Sequence, residues 1–303
     1  MAGLKELRTR IESVKSTKKI TSAMKMVAAS KYRRAELTLQ KSELFQKLMS
    51  ENIKKVLLEI RTQEEKENIR FMLPKILEEP KDPKSYGLFV LASDRGLCGS
   101  YNTMIAKTTI KRIKELEKQG KTVKVFCYGK KAVSALRRFG LENVSASHPA
   151  VIKKHLTYEE ALHFLRDVWD TKLHYKLDIC EIVYSDFLSG LKRQYLSKQV
   201  IPLNISLEPQ DSKINVIDNS YYNYLPDKLG LLKELSSIYM RTSMFEVLIN
   251  SQASEHAARM ASMDNATKNA EDMIHSLTFK YNSLRQSAIT TELVEIVAGA
   301  EAM

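Results

Sequence analysis

Proline and glycine, the residues that interrupt helices, are almost missing from both ends of this 303-residue chain. Residues 4–71 contain neither, and residues 227–303 contain no proline and only two glycines, Gly230 and Gly299. Because helix breakers are absent from both interiors, one helix can run nearly the length of each stretch. At 1.5 Å per residue, the C-terminal helix would span about 105 Å, so it must project from any globular domain of this size.

Cysteines and long apolar runs are also scarce. Cys98, Cys127 and Cys180 lie far apart and lack the spacing of a zinc site or a disulfide framework, which indicates buried thiols in a reducing compartment. No apolar run approaches the roughly 18 residues of a membrane span. The N-terminus has no hydrophobic signal region, and Glu6 and Glu12 argue against a transit peptide. We therefore expect no direct membrane insertion, and attachment to a membrane only through partners.

Motifs for catalysis and nucleotide binding are missing as well. The loop at residues 93–102 carries Gly96 and Gly99, but it matches neither G-x-G-x-x-G nor the P-loop. The six histidines show no metal-ligand spacing, and no G-x-S-x-G elbow occurs. We expect no catalytic residue, no metal and no cofactor. A dinucleotide-dependent enzyme is an alternative that tight binding of a nicotinamide or flavin would revive.

Both chain ends carry a heptad-like repeat, which is typical of helices that wrap around each other. The N-terminal face is predicted to contain Leu4, Leu7, Ile11, Val14, Thr17, Ile20, Met24 and Val27. The C-terminal seam is predicted to contain Leu232, Leu235, Tyr239, Thr242, Phe245, Ile249, Gln252, His256, Met260, Met263, Thr267, Ala270, Ile274, Leu277, Tyr281, Leu284 and Ala288. The three-plus-three step from Val14 through Thr17 to Ile20 predicts a stammer that overwinds the coil. We expect an antiparallel pair of terminal helices.

Small residues suggest how this pair is aligned. If the alanine-rich segments around Ala28 and Ala261 face each other, the numbers of opposed residues add to about 290. Leu4 then lies opposite about Gln286, and the last fifteen or so residues form a single helix. Residues 292–303 are apolar on several sides, so we expect other proteins to cover this tip.

Between the two helical ends the pattern alternates between strands and helices. Strands are predicted at 86–92, 122–128, 177–184 and 194–203, with helices at about 103–119, 130–139 and 157–174. This order indicates βαβ crossovers and a mostly parallel sheet. The predicted fold class is α/β with an extended α-helical coiled coil, in which a Rossmann-like domain is inserted between the long terminal helices. The predicted units are residues 1–73 (helix), 74–84 (linker), 85–210 (α/β domain), 211–226 (linker) and 227–303 (helix).

Charge is unevenly distributed along the chain. Residues 1–60 hold 14 lysines and arginines against 6 acidic residues, whereas residues 226–303 hold 7 against 10. The basic end favours an acidic partner. The formal net charge of +12 also leaves open a second interpretation, a basic coiled-coil protein that binds nucleic acid. Retention on heparin and duplex DNA would favour that alternative.

Three blocks carry a resemblance to a known family: residues 11–34 (IESVKSTKKITSAMKMVAASKYRR), 93–99 (SDRGLCG) and 253–300 (ASEHAARMASMDNA through LRQSAITTELVEIVAGA). With these blocks at opposite ends and in the middle, the chain resembles the γ subunits of F-type ATP synthases over essentially its full length. The resemblance implies a central rotor stalk, without a catalytic site of its own, that turns inside a ring of three α and three β subunits. It also implies contact with an ε subunit (δ in mitochondria) and with the membrane ring of c subunits, driven by proton flow.

The same resemblance implies two contact surfaces for the ring of α and β subunits. One contains Met24, Lys31, Arg33 and Arg34, and the other contains Arg285, Gln286 and Thr290. No nucleic acid and no cofactor is implied. The implied location is peripheral, on the cytoplasmic face of a bacterial inner membrane, with the matrix side of the mitochondrial inner membrane as the alternative.

Overall fold

The computed structural model describes residues 2–67, 72–74, 76–78, 80–142, 144–151, 156–189, 192–205, 224–225 and 227–301. Its elements are, in chain order, α1 (Ala2–Glu67), β1 (Ser85–Leu91), α2 (Tyr101–Lys118), β2 (Thr122–Tyr128), α3 (Lys130–Arg137), β3 (Ala146–His148), α4 (Tyr158–Tyr175), β4 (Ile179–Ser189), β5 (Lys192–Ile201) and α5 (Lys228–Glu301). Two long terminal helices pair with each other, and a five-stranded α/β domain is inserted between them. The predicted fold class is confirmed.

The strands form one sheet in the order β3-β2-β1-β4-β5, with β1, β2, β3 and β4 parallel and β5 antiparallel at the edge. The strand β1 is a nearly continuous apolar run because both faces of the sheet are covered. Helices α2 and α3 pack on one face, and α4 and α5 pack on the other. The short strand β3 was not predicted, because three residues are too few to show a strand period.

Helix α5 crosses the carboxyl edge of this sheet and is hydrogen-bonded to it. The hydroxyl of Tyr101, at the start of α2, lies 2.9 Å from the Ser251 hydroxyl. The Ser254 hydroxyl donates to the carbonyl of Ser185, and the amide of Phe187 donates to the side chain of Asn250. In open α/β sheets, ligands bind outside the carboxyl ends of the strands. Here the protein's own helix occupies much of that crevice.

The heptad seam of α1 is regular from its start to Ile60. Its positions alternate by three and four, and every one of them is buried or half-buried: Leu4, Leu7, Ile11, Val14, Lys18, Thr21, Lys25, Ala28, Tyr32, Ala35, Leu39, Ser42, Gln46, Met49, Ile53, Val56 and Ile60. A strict seven-residue repeat of this kind maintains one continuous contact with the partner helix.

The predicted stammer is therefore wrong. Thr17 is exposed, and the side chains of Ile20 and Val27 are each 58% exposed. The seam instead passes through Lys18 and Lys25, whose ammonium groups bond to acidic residues of α5. A pattern that counts only apolar or small residues misses such lysines, because their aliphatic stems pack while the charged ends reach a partner.

Candidate functional site

The described residues hold no metal-binding cluster, and their cysteines are buried. Among them, no group of three or more His, Cys, Asp or Glu side chains is placed to hold a metal ion. All three cysteines are buried, and burial raises the pKa of Cys127 and of Cys180 to about 12, so neither is a thiolate at neutral pH. No helix in this part of the chain is apolar enough over a sufficient length to cross a membrane.

Helices α1 and α5 pair to form a shaft. Polar contacts join the two helices in its distal half, where residues 18–25 of α1 lie against residues 264–271 of α5. Lys25 Nζ lies 2.6 Å from Asp264 Oδ1, and Lys18 Nζ lies 2.8 Å from Glu271 Oε1. Between these ion pairs, the Thr267 hydroxyl donates to the Thr21 hydroxyl at 2.8 Å. In each of the three pairs the residue numbers add to 288 or 289. The predicted antiparallel register, near 290, is confirmed.

The ion pairs change the acidity of their carboxyl groups. The hydrogen bond from Lys25, with a second from Lys268, lowers the pKa of Asp264 below its usual value. The hydrogen bond from Lys18 lowers the pKa of Glu271 in the same way. Both carboxyl groups are therefore ionised at neutral pH, and the distal pairing is strongest in their ionised form.

The basal half of the shaft is held mainly by apolar packing. Ile53, Val56, Leu57 and Ile60 of α1 form a buried cluster with Leu232 of α5. Further along, small residues bring the helices together, and they are buried: Ala28, Ala35, Ala253, Ala257, Ala258 and Ala270. The predicted role of small residues in close packing of the coil agrees with this burial. Packing of small residues thus extends into the distal half, where the buried Ala270 lies between Thr267 and Glu271.

The first predicted contact surface, on α1, divides between a cavity and an outer face. Met24 and Lys31 are half-buried and line a cavity of about 780 Å³ between the shaft and the α/β domain. Arg33 and Arg34 are exposed on the side of α1 away from the seam. The three cations among them, which we call the basic surface, are therefore split between the cavity at the carboxyl edge of the sheet, which Lys31 lines, and the outer face of α1, which carries Arg33 and Arg34.

The sequence did not predict that the loop after β1 lies beside this basic surface. Arg95 and Leu97 line the same cavity as Lys31. Asp94 has a structural role, because its carboxylate accepts hydrogen bonds from the backbone amides of Lys130 and Ala150. Neither the hydrophobic periodicity nor the composition of the sequence shows that this loop lies near a helix about 60 residues earlier. The only available signal was the polar loop directly after a buried strand.

The second predicted surface lies near the tip of α5. Arg285, Gln286 and Thr290 are exposed, and the Thr290 hydroxyl donates to the carbonyl of Gln286 one turn earlier. Large apolar side chains around them are also exposed in the single chain: Leu284, Ile289, Leu293, Val294, Ile296 and Val297. By the observed register Lys31 lies opposite residue 258, so about 40 Å of helix separates the two surfaces. The structure does not bring them together.

Comparison with known proteins gives a consistent result over the whole chain. The family model described as ATP synthase matches residues 3–303. The chain is 37% identical over 303 residues to the ATP synthase gamma chain of Paramagnetospirillum magneticum, covering 100% of both proteins. It is 36% identical over 306 residues to that of Rhodospirillum rubrum, again covering 100% of both.

Solved structures agree with the fold. A chain of the Euglena gracilis mitochondrial ATP synthase, from a structure of its OSCP, F1 and c-ring, matches 100% of this chain and 95% of its own length, with a TM-score of 0.64 and 18% identity. A chain of the Tetrahymena thermophila mitochondrial ATP synthase central stalk and c-ring matches 82% of this chain and 99% of its own length, with a TM-score of 0.54 and 24% identity. At these identities the matches support the architecture of paired long helices with an inserted α/β domain.

Proposed function

Because the chain belongs to the ATP synthase gamma chain family, we propose that it is the central rotor stalk of a proton-driven ATP synthase, with no catalytic site of its own. The proposal depends on one observation: the last turns of the shaft expose apolar side chains, which a protein in water would otherwise bury. A surrounding ring of partner subunits would cover them. The nucleic-acid alternative finds no support in the relatives described above.

The shaft acts by geometry rather than by chemistry. An object that contacted all partner conformations equally would bias none of them, however tightly it bound. The paired helices are not equivalent around their axis, because α1 carries the basic surface and α5 alone forms the tip. Rotation of such an asymmetric shaft would present different faces to each surrounding subunit and shift each among its states in turn.

The partners follow from this role. The ring of three α and three β subunits would enclose the distal shaft, while the base would contact an ε subunit (δ in mitochondria) and the ring of c subunits. The protein would be held at the membrane by these contacts, on the cytoplasmic face of a bacterial inner membrane or, in a mitochondrion, on the matrix side. Pull-down from detergent-solubilised membranes should recover these subunits, and their absence would contradict the assignment.

The contact surfaces are proposed residue by residue. Lys31, Arg33 and Arg34 would meet acidic loops of the ring, with Met24 as an adaptable apolar neighbour. At the tip, Arg285, Gln286 and Thr290 would make polar contacts within a collar of ring loops. Both sets have the exposure that such contacts require, apart from Met24 and Lys31, which are half-buried in the single chain.

A charge-reversal experiment tests the basic surface. Arg33→Glu with Arg34→Glu should weaken association with the isolated ring of α and β subunits about tenfold, because two favourable charges become repulsive. The matched control is Arg137→Glu with Arg138→Glu, an adjacent exposed pair at the end of α3. Binding can be measured by surface plasmon resonance at two salt concentrations. Equal effects of the two double variants would reject this surface.

A further inference from the structure

The cavity beside the basic surface has the position and size of a ligand site. It lies outside the carboxyl ends of β1 and β2, where Leu91, Ala92 and Tyr128 form part of its wall. This is the edge at which open α/β sheets bind ligands, and α5 leaves part of it unfilled. The volume of about 780 Å³ falls within the range of small-molecule pockets, about 300–1,000 Å³.

The walls of this cavity are mainly apolar. Besides the strand residues, Val27 of α1, Leu248 of α5 and Val151 after β3 contribute side chains. Val27 lies outside the seam of α1, and its side chain is 58% exposed in the chain. The cavity therefore offers an apolar surface that the protein's own packing leaves uncovered.

The charges at the cavity are unequally satisfied. Asp94 accepts two backbone hydrogen bonds, and Glu255 is paired with Arg259 at 2.7 Å. By contrast, the side chains of Lys31 and Arg95 make no hydrogen bond or ion pair with any residue that the structure describes. Two cations without a partner among the described residues thus line the same cavity, Lys31 from α1 and Arg95 from the loop after β1.

The geometry points to a site for a small amphipathic anion, which has a carboxylate or phosphate head and an apolar body. The head would lie between Lys31 and Arg95, and the body would cover the apolar wall. Hydrogen bonds anchor the loop that carries Arg95: the Ser93 amide donates to the Asn102 side chain, and the Ser93 hydroxyl donates to the carbonyl of Arg95. The inference does not depend on the rotor function, because binding would be a property of the single chain.

Binding of decanoate to the full-length chain, well below its micelle concentration, tests this site by isothermal titration calorimetry. Lys31→Gln and Arg95→Gln should each weaken binding roughly fivefold, as loss of one partly exposed charge contact predicts. Arg138→Gln, which removes an exposed arginine far from the cavity lining, should leave binding unchanged. Decyl phosphate in place of decanoate distinguishes a phosphate head from a carboxylate head.

A blocking variant separates the cavity from other apolar surfaces. Gly96 lines the cavity, and an added Cβ there meets nothing within 4 Å, so Gly96→Phe adds a bulky ring to the lining without a clash at its Cβ. This variant should weaken decanoate binding while far-ultraviolet circular dichroism stays unchanged. Binding that survives all these changes would place decanoate elsewhere, such as the exposed tip, and would overturn the proposal. Equal binding of decyltrimethylammonium would do the same.

Discussion

At the scale of single residues, Gln46 is a polar side chain in the seam of the shaft that its surroundings do not satisfy. Gln46 is 6% exposed, and neither atom of its amide group has a hydrogen-bond partner among the described residues. A buried amide without a partner costs free energy, whereas an apolar residue of similar size at the same heptad position would pack.

Gln46→Leu should therefore raise the free energy of unfolding by about 1–2 kcal/mol. The measurement is urea unfolding of the full chain, followed by circular dichroism. Gln40→Leu is the matched control, because Gln40 is exposed on the same helix and its replacement should change stability little. A Gln46→Leu protein no more stable than its control would mean that water or a neighbour satisfies the amide.

At the scale of elements, the seam between α1 and α5 brings Thr21 into contact with Thr267. The close contact of Thr21 with Thr267 predicts that Thr21→Cys with Thr267→Cys forms a disulfide under mild oxidation. The native cysteines are buried and should not compete. The bond is detected as a loss of free thiol, followed by mass spectrometry of the linked peptides.

A matched pair distinguishes the observed seam from the one that apolar residues alone suggest. Thr17→Cys with Thr267→Cys uses the exposed Thr17, which belongs to the predicted face but points away from α5. It should crosslink much more slowly than the first pair. Equal rates would indicate that α1 rotates about its axis or that its seam is different from the one described.

The sequence predicted most of the elements but not how they meet. Long stretches without helix breakers predicted α1 and α5, and buried apolar runs predicted β1, β2 and β4, because these signals are local. The path of the seam through Lys18 and Lys25 was missed, since a lysine is recognised as a seam residue only once its acidic partner is known. That Arg95 and Lys31 line the same cavity depends on tertiary packing, to which a linear pattern has no access.

At the scale of the whole molecule, two sets of carboxyl groups respond to acid in opposite directions. Lysine contacts lower the pKa values of Asp264 and Glu271 in the distal shaft, as described above. Where the α/β domain meets the shaft, burial raises the pKa of Asp186, and burial together with the charges of Asp186 and Glu43 raises that of Glu246, although Lys198 opposes both shifts. Acidification should therefore change the stability of the two regions in opposite directions.

The sign of each effect follows from linkage. A lowered pKa gives stability that is present above the ordinary values of 3.8 for Asp264 and 4.5 for Glu271 and is lost as pH falls below them. A raised pKa costs stability at neutral pH, and that cost disappears as pH falls towards the ordinary value. Acidification should first strengthen the junction around Glu246 and then, below about pH 4.5, loosen the distal pairing.

Amide hydrogen exchange followed by mass spectrometry, corrected for intrinsic rates, checks this order at pH 7, 5 and 3.5. Protection of the segments around residues 18–25 and 264–271 should fall only at the lowest pH. In the double variant Asp264→Asn with Glu271→Gln, these segments should already be less protected at pH 7 and should lose the response to acid. Uniform loss of protection along the chain would show that unfolding is global.

The hydrogen bonds by which α5 crosses the sheet have a mechanical consequence. Ser251, Asn250 and Ser254 bond to groups of the α/β domain that lie to the side of the helix. Apolar contacts have no preferred direction and would let a helix rotate about its own axis. Hydrogen bonds resist such rotation, because they weaken steeply when their angle changes. Torque applied to the domain should therefore reach the helix without torsional slip, and twist should accumulate in the length of the shaft that extends past these hydrogen bonds.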